Sequence, residues 1–279
     1  MNTEVLGTFL AVIESGSFTR AARRMNLSQS AVSSRIAALE HKVGQPLFVR
    51  RHDRVDLTPA GQGLVPYARR MIALEEQALK SLDIVCPLER LVVASVHTYY
   101  DFFLRPILDG YRERYPARST RVVLKHSREV INGVLDGRYD VGYSHHPVRS
   151  PGILCRKVAS DELLLLHRDP RYGRGVTVAD LRRMPLVYSE FLDTPVAEEL
   201  FGKPFLFELE IDVGSKVLPY IREQDRISML PRRMVQDLLD SGELFSIPTL
   251  DFLLPPLEYF LLYDEAKGFG VPVRDWLQV

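Results

Sequence analysis

The sequence predicts an α/β chain whose N-terminal part is a mainly-α winged helix-turn-helix and whose C-terminal part is a two-lobed α/β unit. Three observations carry this. Apolar residues within the first 45 positions recur at helical spacing and lead into a short hairpin pattern rich in Phe and Val. Residues from Thr58-Pro59 to about Asp83 hold one long amphipathic seam. After Cys86-Pro87, β-type apolar runs alternate with helical stretches, the rhythm of crossover units. A chain of 279 residues has room for two or three domains, and 46% apolar with 26% charged residues excludes a disordered or fibrous polymer.

Leu6, Phe9, Leu10 and Ile13 mark a first helix that Gly16 interrupts. Ser17 or Thr19 can cap a second helix carrying Ala21, Ala22 and Met25, and Ser28 can cap a third that runs to about Val43. Gly44-Gln45-Pro46 ends it, and Leu47–Leu57 reads as a two-stranded wing with a basic tip. Thr58-Pro59 is a helix start, followed by Leu64, Tyr67, Met71, Leu74 and Ala78 at spacings of three and four. The resulting helix of about 26 residues would be roughly 39 Å long, with a seam that needs a partner and a bend expected at Pro66. In the C-terminal part, Leu91–Val96, Thr120–Lys125 and Tyr139–Ser144 read as the parallel strands of one lobe. Leu163–His167, Leu186–Tyr188, Phe207–Val213, Arg226–Leu230 and Glu258–Tyr263 read as strands of the other.

Net charge is zero, but residues 1–85 carry 11 Lys/Arg against 8 Asp/Glu, so the front is basic and the remainder acidic. Two cysteines, no basic leader before an apolar stretch and no run of about 18 apolar residues lead us to expect a soluble, cytoplasmic chain without a membrane partner. Wound as a helix, Ser28–Val43 puts Val32, Ile36, Leu39 and Val43 on one side and Ser30, Ser33, Ser34 and Ala37 on the other. The second face is small, uncharged and hydrogen-bonding, which suits entry into a major groove of double-stranded DNA. Candidate DNA contacts are therefore Ser28, Gln29, Ser30, Ser33, Ser34 and Arg35, with Arg50, Arg51 and Arg54 at the wing reaching phosphates or the minor groove.

The run AVIESGSFTRAARRMNLSQSAVSSRIAALEHKVGQPLFVRR with LTPAGQ resembles the DNA-binding domain of LysR-type transcriptional regulators, and VVASV, FLRPILDGYRERYP, VLDGRYDVGYS and ISMLP extend the resemblance more weakly through the chain. The resemblance implies a winged helix-turn-helix over residues 1–58, a linker and dimerisation helix over 59–86, and an effector-binding domain over 87–279 similar to the type 2 periplasmic binding proteins. Lobe I is expected over about 88–160 and 265–279, lobe II over about 161–264. It further implies an inverted-repeat operator, a homodimer or homotetramer, a small-molecule effector, and RNA polymerase as a candidate partner. Gln29, Ser30 and Ser33 fall where the family contacts bases. The family often has Arg at the position of Ser34, and glycines where this chain has Gln224 and Arg226.

A ligand of a parallel sheet sits beyond the carboxyl ends of its strands. Ser95, His97 and Thr98 follow the first strand, Lys125, His126 and Ser127 the second, and Ser144, His145 and His146 the third; Ser215 lies in the other lobe. Ser95, His97, Thr98, His126, Ser127, His145 and Ser215 are the candidate effector contacts, suited to an anion such as a carboxylate. The histidines also admit a transition metal, against which stands the lack of a recognised ligand spacing, so no cofactor is expected. With no G-x-S-x-G, phosphate loop, G-x-G-x-x-G or H-E-x-x-H, the chain is not expected to be an enzyme. The alternative function is a cytosolic small-molecule binding protein whose N-terminal module only oligomerises.

Overall fold

The computed structural model describes residues 2–50, 55–82, 90–189, 191–192, 194–203, 206–268 and 270–279. The N-terminal unit is built from α1 (Thr3–Ser15), α2 (Phe18–Arg24), α3 (Gln29–Val43), a wing of β1 (Phe48–Arg50) and β2 (Val55–Leu57), and α4 (Pro59–Leu82). Each of the first three helices has its cap: Asn2, Ser17 and Ser28 accept from Glu4 N, Arg20 N and Ala31 N. Leu6, Phe9, Val12, Phe18, Ala21, Val32, Ile36, Leu39, Leu47 and Phe48 bury one another in a single core. Val43, expected in the same stripe, is 37% exposed, because it sits in the last turn before the left-handed Gly44 and the helix has there run past its packing partners.

The wing is tied to α3 by Glu40, whose Oε1 accepts from Leu47 N at 2.7 Å and Phe48 N at 3.3 Å. Gly61 lets α4 approach this junction, since a Cβ there would overlap the carbonyl oxygen of Leu47. Pro66 does not break α4: the helix is continuous from Pro59, losing only the bond that residue 66 would have donated. Ala68 and the partly buried Leu64, Val65, Met71 and Ile72 pack on the N-terminal core, whereas Tyr67 and Leu74 stay 47% and 66% exposed.

The C-terminal unit continues with β3 (Arg90–Ser95), α5 (His97–Tyr99), a π-helical turn Tyr100–Leu104, α6 (Arg105–Arg114), β4 (Ser119–Leu124), α7 (Ser127–Leu135), β5 (Val141–Ser144), β6 (Ile153–Asp161) and β7 (Leu163–His167). Then come α8 (Val178–Leu181), β8 (Val187–Tyr188), α9 (Thr194–Phe201), β9 (Leu209–Glu210), a 3-10 turn Gly214–Val217, α10 (Leu218–Glu223), β10 (Ser228–Pro231) and α11 (Arg232–Asp240). The final elements are β11 (Phe245–Ser246), β12 (Leu257–Asp264), α12 (Glu265–Gly268) and α13 (Val271–Trp276).

Lobe I is a five-stranded sheet of order β4-β3-β5-β12-β6. Its first three strands are parallel, but β12 runs antiparallel to both β5 and β6. This corrects the expected boundary: Leu257–Asp264 belongs to lobe I, so the chain returns before Leu257 rather than at 265. The apolar alternation of Glu258–Tyr263 fits either sheet, and only pairing with distant strands decides. Lobe II sets β7 antiparallel between β10 and β11, with β8 parallel to β9 and bridged to β10 through Leu186 and Ile227. The sheet of lobe I is thus mixed and the β10-β7-β11 sheet of lobe II wholly antiparallel, because β12 and β7, the strands entered on crossing between lobes, run against the direction of their neighbours. Asp161, at the crossing, accepts from the backbone amides of Glu162 and Arg233 and so joins the end of β6 to the start of α11.

Candidate functional site

Two surfaces carry polar side chains in the positions the sequence singled out. On α3, Val32, Ile36 and Leu39 face the core while Gln29, Ser30, Ser34 and Ala37 are exposed and Ser33 is half-buried. Ser28 is occupied as the helix cap and its Oγ lies 2.9 Å from Ser30 Oγ, which fixes the start of the exposed face. Thr19 Oγ1 donates to Gln29 Oε1 at 3.2 Å, holding the exposed amide from the preceding helix and leaving its NH2 free of that bond. Arg35 differs from expectation: its guanidinium donates to Thr8 Oγ1 at 3.3 Å and lies 3.6 Å from Glu4, so it straps α3 to α1. Arg50 ends β1, and Arg51 and Arg54 lie outside the described residues.

The second surface is where the lobes meet. Parallel pairing of β3 with β4 and β5 brings the ends of three strands together, as expected. The roles of the side chains there differ. Ser95 is fully buried and donates to Val96 O, so it lies beneath the surface and offers a ligand no hydroxyl. Thr98, also buried, shares a 3.1 Å hydrogen bond with His145 Nε2, and His145 Nδ1 lies 3.3 Å from Glu258 O. A carbonyl only accepts, so Nδ1 carries the proton and Nε2 accepts from Thr98. Burial lowers the His145 pKa to about 4 and keeps the ring neutral, so it offers an anion no charge. Ser127 Oγ accepts from His145 N at 3.0 Å, which leaves its own proton to donate.

His97 and His126 lie side by side at the rim, ring centroids 6.3 Å apart. From lobe II, Asp212 Oδ2 approaches His126 Nε2 to 3.3 Å, so this pair spans the cleft; Ser215 lies three positions on, in the 3-10 turn. Sequence reasoning missed Phe191, whose ring meets His145 edge-on, and Ser189, which follows β8 in lobe II. Neither has a periodic signal: both lie where the chain leaves a two-residue strand. Among the described residues no three His, Cys, Asp or Glu side chains converge to hold a metal ion.

A cavity of about 1040 Å³ lies away from the strand ends, between α1, α4 and lobe I. On its wall Arg69 pairs with Asp136 at 2.9 Å and Lys267 with Asp140 at 2.8 Å. Arg70 adds a 2.6 Å pair with Asp264 and donates to Pro151 O, so two neighbouring arginines of α4 clasp lobe I. The cavity is therefore the space beside a linker contact. None of the helices among the described residues is long and apolar enough to cross a membrane.

Residues 3–62 match the family described as bacterial regulatory helix-turn-helix protein, lysR family, and residues 87–279 match the LysR substrate binding domain. The chain is 28% identical over 301 residues to the HTH-type transcriptional regulator AbaB of Streptomyces antibioticus, covering 100% of this chain and 98% of the relative. It is 28% identical over 252 residues to the uncharacterized HTH-type transcriptional regulator YeiE of Escherichia coli K12, covering 87% and 84%. Its fold is similar to ArgP from Mycobacterium tuberculosis, at TM-score 0.65 and 20% identity over 100% of this chain and 95% of that one. It is similar also to full-length LysG from Corynebacterium glutamicum with bound effector Arg, at TM-score 0.64 and 20% identity over 100% and 96%. With both domains matched over most of its length, the chain belongs to the LysR-type transcriptional regulators: a non-enzymatic, DNA-binding regulator with an effector-binding domain.

Proposed function

We infer that the protein binds an inverted-repeat operator as a homo-oligomer in the cytoplasm and is switched by a small anionic effector held between its lobes. The observation that carries this reading is the exposed, uncharged face of α3, capped at Ser28 and braced by Thr19 and Arg35. Such a face enters a major groove without electrostatic penalty, with Gln29, Ser30 and Ser33 at base edges and the wing arginines Arg50, Arg51 and Arg54 along the backbone. The exposed Tyr67 and Leu74 on α4 support pairing of two chains through that helix, which would set two α3 helices in symmetric half-sites. For the effector, Ser127 retains a proton to donate at the start of α7, and His97 and His126 lie together where Asp212 of lobe II meets His126.

The combined substitution Gln29→Ala with Ser33→Ala tests the DNA reading. Two lost base contacts at about 1–3 kcal/mol each should weaken operator binding by well over tenfold. Binding to unrelated duplex, and its salt dependence, should stay unchanged. Equal losses on both duplexes in a titration at fixed salt would refute base reading by α3.

A further inference from the structure

We propose that the ring of Phe191 stands in the effector's place between the lobes, and that the effector is an anion with a planar aromatic body that displaces this ring. The proposal rests on the interlobe reading above and names the ligand class for it.

Phe191 packs at once against the core of lobe I and both cores of lobe II. It does so from a turn, held by a 2.7 Å hydrogen bond from its own amide to Ser189 O, rather than from a strand or helix. One edge of the ring meets His145 at 6.3 Å and an interplanar angle of 85°. Its Cζ and Cε2 lie so near Gly214 that a Cβ there would overlap them, so the ring occupies space left by a missing side chain. Behind His145 stand Tyr259 at 4.8 Å and then Tyr99 and Phe103, both within 5.4 Å of Tyr259. A ligand body that replaces Phe191 therefore takes a volume shaped for a ring and meets the His145 ring in the same edge-to-face contact, which favours a planar π-system over a branched chain.

A second, independent observation sits at the same turn. Ser189 is 2% exposed and its Oγ has no hydrogen-bond partner among the described residues. A buried hydroxyl without a partner is costly, and a polar atom on an entering ligand would satisfy it. The anionic end is placed by Ser127 at the start of α7, whose Oγ accepts from the amide of His145, the residue whose ring meets Phe191, and keeps its own proton to donate. Ring slot and hydroxyl donor are thus one residue apart through His145.

The test is isothermal titration of the full-length protein with benzoate, and with acetate as the non-aromatic control, in wild type, Phe191→Ala and Phe191→Leu. Emptying the slot should raise benzoate affinity at least tenfold in Phe191→Ala and less in Phe191→Leu, with no gain for acetate. Adding Ser189→Ala or Ser127→Ala to Phe191→Ala should reverse the gain severalfold. An equal gain for acetate, or no gain for benzoate in either folded variant, overturns the proposal. Benzoate gain that survives Ser127→Ala unchanged supports the slot but removes the anion site of the interlobe reading; acetate bound through Ser127 in all variants does the reverse.

Discussion

Acid should weaken lobe I through one residue. His145 is held neutral by burial, its pKa lowered to about 4 from the ordinary 6.5. Between those values the unfolded chain binds a proton that the folded one refuses, so stability is fully present above about pH 6.5 and falls as pH drops toward 4. The gap of about 2.5 units corresponds to about 3 kcal/mol in full, of which about 2 kcal/mol should be lost by about pH 5. Other carboxylates also lose stability in acid, so the informative quantity is the difference between wild type and His145→Gln, which cannot charge. Urea unfolding followed by tryptophan fluorescence reads it directly: Trp276 is the single tryptophan, 2% exposed in the lobe I core, with its Nε1 donating to Tyr143 Oη at 3.0 Å. Parallel stability profiles for the two proteins from about pH 7.5 to about pH 5 would show that the ring is not desolvated as described.

Glu40→Ala should destabilise the N-terminal unit by about 1–3 kcal/mol, measured by chemical unfolding, because Leu47 N and Phe48 N lose their acceptor. Gly61→Ala should cost about 1–3 kcal/mol in the same assay, since the added Cβ overlaps backbone and cannot be relieved by a rotamer change. Arg70→Ala should loosen α4 from lobe I by leaving Asp264, 13% exposed, without its partner; the expected readout is faster amide exchange in both segments, and Asp264→Asn in the same background should restore part of the protection.

Local chemistry was legible in the sequence where a partner lies within a few positions. Ser17 and Ser28 read as caps and are caps; Thr58-Pro59 read as a helix start and is one. The convergence of His97, His126 and His145 was legible too, because parallel strands order their ends by direction alone. What escaped depends on distant pairing. Arg35 read as a candidate DNA contact, yet Thr8, 27 positions earlier, takes its guanidinium. Strand β6 was not anticipated because ILCRKVASD mixes charges into an edge strand with one wet face. Phe191 gave no signal at all, since a ring on a turn has no periodicity and only the folded lobes show what it fills.

The chain passes from one sheet to the other twice, at Asp161–Leu163 and again just before Leu257. A single strap would let the halves swivel freely; two side by side, one of them pinned by Asp161 to α11, behave like a door on a pair of pins, with one axis and one opening angle. Since Arg69 and Arg70 bolt the frame of that door to α4, any swing of lobe II is measured against the same rod that carries the N-terminal module.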